Sequence, residues 1–88
     1  MLRIWARTMV GEKITRSYIY ESIDSFEEET FKLHIANICH EMDIPTPAII
    51  SSHIRNFDEF NNSVFLKRDF VEQIDFDKFI IENAAVSK

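Results

Sequence analysis

The chain has 88 residues and a mass of 10.4 kDa, is 28% charged and 45% hydrophobic, and holds one Cys, one Gly and two Pro. That is material for one small domain spanning 1–88, too little for a multidomain enzyme, and a lone cysteine closes no internal disulfide. The formal net charge of −5 is uneven: Arg3, Arg7, Lys13 and Arg16 face only Glu12 in the first sixteen residues, so the acidity lies further along.

Leu2 to Val10 alternates, with Leu2, Ile4, Ala6, Thr8 and Val10 on one side and Arg3, Trp5, Arg7 and Met9 on the other, the period of a strand. Gly11-Glu12 fits a two-residue type II′ turn with Gly at the position needing positive φ. Lys13 to Glu21, rich in Ile, Thr and Tyr, reads as the returning strand. Ser25 with Glu28, or Asp24 with Glu27, marks a helix start. Phe31, Ile35, Ile38 and Met42, with Cys39 at one edge, form the face that presses on the sheet. Asp43 ends that helix before Pro45 and Pro47.

Ala48 to Ile54 reads as a third strand, Asn56 as the cap of a single helical turn through Phe60, and Asn61-Asn62-Ser63 as a break. Val64-Phe65-Leu66 suits a short strand, Asp69 to Ile74 an irregular turn, Phe76 to Asn83 the last strand and Ala84 to Lys88 a frayed tail. The expected fold is α+β in the order β-β-α-β-β: a small antiparallel sheet of about four strands with one amphipathic helix on one face.

Trp5-Ala6-Arg7, the segment Asp43 to Pro47 and the run Asp69 to Phe79 resemble a family of short bacterial proteins of Firmicutes type. That family has no assigned activity, so the resemblance implies a small bacterial cytoplasmic protein and transfers no functional residue. The resemblance spans nearly the whole chain.

The residues offer little to catalysis. His34 and His40 lie roughly 240° apart around the predicted helix, so they do not converge on a metal. Cys39 lies at the edge of the core stripe, where a buried apolar role is expected; His53, on the expected third strand, could meet it as a base. A single Gly leaves no loop to cradle phosphate or gather an oxyanion hole. Asp69, Glu72, Asp75 and Asp77 are the densest carboxylates; Asp75 and Asp77 would share one side of an extended segment, as a hard cation needs, or simply flank buried Phe76. The expectation is a non-enzymatic module without catalytic, metal or cofactor residues. The lone cysteine, and a start with no stretch long enough for a signal-peptide core, predict a cytoplasmic protein. No apolar run reaches the ~20 residues of a membrane span.

Binding surfaces are more distinctive. In the register set by a two-residue turn, Trp5 faces Tyr18, Arg7 faces Arg16 and Arg3 faces Tyr20. Arg3, Trp5, Arg7, Arg16 and Tyr18 then share one cationic, aromatic face suited to single-stranded nucleic acid or a protein partner. A three-residue loop instead pairs Arg3 with Glu21 and Trp5 with Ile19, turning Tyr18 and Tyr20 to the core. Phe26, Leu33 and His40 recur every seven residues on the helix side away from Phe31 and form a candidate oligomer stripe. The leading expectation is a small protein-interaction or regulatory module, with a homodimer as one assembly; nucleic-acid binding is the alternative.

Overall fold

The computed structural model describes residues 1–84. In chain order it forms β1 (Leu2–Val10), β2 (Lys13–Ser22), α1 (Glu28–Met42), α2 (Ser51–Phe60), β3 (Asn62–Leu66), a 3-10 turn (Lys67–Asp69) and β4 (Lys78–Asn83). The fold is α+β, with a single four-stranded antiparallel sheet in the order β2-β1-β4-β3. Leu2, Ile4 and Ala6 of β1, Phe65 of β3, and Phe79 and Ile81 of β4 pack against Phe31, Ile35 and Ile38 of α1 and Phe57 of α2. Both helices therefore cover the same side of the sheet.

The first hairpin contains parts of both expected registers. Gly11 has φ +58 while Glu12 stays out of the positive region, the pattern of a type II′ turn, and Val10 pairs with Lys13 and Met9 with Ile14. A bulge between Thr8 and Met9 then shifts the ladder by one residue, so that Thr8 pairs with Arg16, Ala6 with Tyr18, Trp5 with Ile19 and Arg3 with Glu21. Thr15 is the extra residue, and its hydroxyl lies 2.8 Å from that of Thr8. Turn chemistry thus sets the pairing beside the turn, and one inserted residue resets it for the rest of the strand.

α1 starts later than its sequence signals suggest. Glu27, not Ser25 or Asp24, is the N-cap, and it makes no side-chain capping bond. The entrance is fixed by packing: Phe26, just before the cap, meets Phe31 edge-on at 5.7 Å between ring centroids, the spacing of a hydrophobic staple. Asp43 closes the helix in the left-handed conformation, its N–H donating to the His40 carbonyl and that of Ile44 to the Cys39 carbonyl.

The expected strand Ala48 to Ile54 does not form, and a second helix stands where one turn from Asn56 was expected. Residues 44–50 run without regular structure, and Ser51 to Phe60 is helical, with Asn56 in its interior. His53 and Phe57, one turn apart, are its buried side chains, and Ile54 packs beside them at the core's edge. His53 Nδ1 accepts the Ile50 N–H at 3.1 Å, so a ring nitrogen at the third helical position closes the N-terminus that Ile50 itself cannot cap. The fourth strand of the sheet is instead Asn62–Leu66, around the expected Val64-Phe65-Leu66. β4 begins at Lys78 rather than Phe76. Ala84, expected to fray, donates its N–H to the Arg3 carbonyl at 2.8 Å; the remaining expected tail, 85–88, lies outside the described residues. No described helix is long and apolar enough to cross a membrane.

Candidate interaction face

The shifted hairpin register splits the residues expected to share one surface. Tyr18 and Arg16 stand opposite Ala6 and Thr8, on the side of the sheet that carries the helices, and Tyr18 packs against the core. Arg3, Trp5 and Arg7 point the other way. They belong to an open face that β1 and β4 place at its centre and β2 and β3 at its edges. Ile19, Trp5, Glu82 and Asn62 lie abreast across the four strands; Ser17, Arg7, Ile80 and Val64 form the next row, and Ile14, Met9, Lys78 and Leu66 the third. No described helix lies over these rows, and Ile19 is 51% and Val64 39% exposed.

The polar groups of this face are engaged with one another. The Arg7 guanidinium sits 3.9 Å over the Trp5 ring and donates to Glu82 Oε1 at 3.3 Å. Trp5 Nε1 donates to Ser17 Oγ at 2.8 Å, and Arg3 binds Glu21 at 2.6 Å. Arg16, on the opposite side, meets Asp75 at 3.3 Å. Each of the three arginines offered for phosphate recognition thus already faces a carboxylate.

The expected oligomer stripe also divides. Leu33, 60% exposed, and His40 lie on the outer surface of α1. Phe26 is half-buried and packs on Phe31 and Phe57 at the helix entrance. The periodicity that joined these three residues assumed that the helix already included Phe26.

The groups considered for chemistry are drawn into structural bonds. Tyr20 Oη lies 2.7 Å from Nδ1 of buried His34. His53 Nε2 lies 3.5 Å from Asp69 Oδ2, so neither of its ring nitrogens is directed to Cys39. Asp77 accepts the Gly11 N–H at 2.8 Å and lies 3.7 Å from Lys67 Nζ, while Asp75 faces Arg16; the two carboxylates thus serve separate partners. Among the described residues, no group of three or more His, Cys, Asp or Glu comes together in a metal-holding arrangement. An open cavity of about 460 Å³ lies between Arg16, Ile44, Pro45, Ile74, Asp75 and Phe76, away from the open sheet face.

Cys39 is fully buried, and burial pushes its thiol up to about 12, the hydrogen bond with the Thr46 side chain opposing this. The thiolate, which is the nucleophilic form, is therefore disfavoured. A thiol reagent at pH 8 is expected to label Cys39 only at the rate at which the chain opens, and immediately in denaturant. The raised value also ties stability to pH. The unfolded thiol releases its proton near pH 9.0 while the folded one keeps it, so stability present below that point is lost as pH rises towards 12. Urea unfolding from pH 8 to 10.5 is expected to show a steeper loss for the wild type than for Cys39→Ala.

No family model matches the chain, and no curated protein or solved structure matches it.

Proposed function

We propose that this chain is a non-enzymatic interaction module that engages a protein partner through the open face of its sheet. The observation that carries this reading is the apolar content of that face. The solvated side of an antiparallel sheet ordinarily reads polar, yet here Ile19, Trp5, Ile80, Val64 and Met9 lie among its central rows. Apolar side chains gathered on one open face in this way are characteristic of interaction sites, and here they surround the Arg7–Glu82 pair at the centre of the sheet. Nucleic acid suits the face less well, because Arg3 and Arg7 are each neutralised by a glutamate and the chain as a whole is acidic.

The test is site-specific photocrosslinking in cells, with benzoylphenylalanine at Ile19 on the open face or at Leu33 on the outer surface of α1. The reading expects protein adducts from position 19 and few from position 33. Absence of any adduct at position 19, or equal yields from both, would sink it.

A further inference from the structure

We infer that the partner on the open sheet face is a second copy of this chain, bound face to face as a weak, reversible homodimer. This rests on the interaction-module reading above and names the occupant. The first support is charge. The charges on the face are largely cancelled within the chain, Arg3 by Glu21 and Arg7 by Glu82, so a second copy can approach it without meeting the net negative charge carried elsewhere. Much of the acidity lies elsewhere, with Glu27, Glu28 and Glu29 at the start of α1 and Asp58 and Glu59 at the end of α2. The open face is therefore where two acidic molecules approach with least repulsion.

The second support is size. Four strands ~4.8 Å apart and rows ~6.8 Å apart along them make a surface on the order of 400–500 Å². Two such faces bury about 800–1,000 Å² together, short of a stable specific interface and in the range of weak, transient pairs. Pairing through the edge of β2 is the competing geometry, and the bulge opposes it. The extra residue Thr15 changes which way the side chains point on its two sides, so a second β2 cannot pair along the whole strand with like faces together.

Sedimentation velocity from 10 µM to 1 mM tests this. The wild type is expected to move from monomer towards twice the 10.4 kDa chain mass as concentration rises. Ile19→Lys/Val64→Lys is expected to weaken association tenfold or more with an unchanged circular dichroism spectrum, and Leu33→Lys to leave it intact. Trp5, the chain's single Trp, reports independently of any variant, since its emission maximum is expected to move to the red as the dimer is diluted apart. A wild type that stays monomeric at 1 mM, or a dimer lost by Leu33→Lys and kept by the double variant, would overturn the inference. Crosslinks from position 19 to a different protein, with no self-adduct, would also overturn it while leaving the interaction-module reading standing; no crosslinks there would end both.

Discussion

Phe79→Ala is expected to remove about 3–5 kcal/mol of stability, the range for emptying a fully buried aromatic site. Phe79 has no exposed surface and sits in the interior strand β4, between Thr8 of β1 and Phe65 of β3. Its ring stacks on that of Phe65 at 5.7 Å and 30°. The cavity would open where two ladders meet, and the sheet cannot close around it without moving both neighbours. A domain of this length has roughly 4–13 kcal/mol in total, so the variant is expected to melt about 15–30 °C lower or to fail to fold. Calorimetry or urea unfolding reads the loss. A change under about 1 kcal/mol would contradict the placement of Phe79 at the centre of the core.

Asp69→Ala is expected to cost about 1–3 kcal/mol although no core volume is lost, because it strands the Leu66 N–H and removes the carboxylate beside His53. Asp69 Oδ2 accepts the Leu66 N–H at 2.8 Å and lies 3.5 Å from His53 Nε2. Since Nδ1 of that ring accepts from the Ile50 backbone, the neutral ring carries its proton on Nε2, aimed at Asp69. The carboxylate thus connects the end of β3 to the first turn of α2. Asp69→Asn keeps one acceptor oxygen, so it is expected to lose about half as much. Hydrogen exchange separates the two: the Leu66 amide loses protection in the Ala variant and keeps it in the Asn variant. Equal losses for both would mean that the carboxylate's charge, rather than its acceptor geometry, holds the junction.

Local patterns in the sequence reached as far as local physics decides structure. β1 spans Leu2 to Val10 as its alternation implies, burying Leu2, Ile4, Ala6 and Thr8 but leaving Val10 exposed beside the turn, and α1 buries Phe31, Ile35, Ile38, Cys39 and Met42 as its period implies. α2 was hidden because Pro47 and the β-branched Ile49-Ile50 suggest extension, while only His53 and Phe57 in the helix are deeply buried. Its helicity depends on contacts with distant residues such as Asp69 and Phe65. The spacing of His53, Ile54 and Phe57 was the signal available for it. The bulge had no marker: nothing in Lys-Ile-Thr-Arg-Ser announces that Thr15 is inserted. That one residue decides whether Arg16 and Tyr18 stand beside Trp5 or behind it. For Phe26, the sequence did hold a cue, since an aromatic five residues before Phe31 fits a staple across the helix start as well as it fits a stripe.

The pairing of β1 with β4 also sets the order of assembly. The β1–β2 hairpin joins neighbours, but Ile4 must find Asn83 and Met9 must find Lys78, contacts that enclose most of the chain. Closing so large a loop costs entropy before the sheet returns any burial. High contact order of this kind places folding towards the millisecond-to-second range of sheet-rich domains. During synthesis, β1 would leave the ribosome with its hairpin partner available and its other edge unpaired until the final strand emerged. Until then the future centre of the sheet is an edge, open to pairing with other chains.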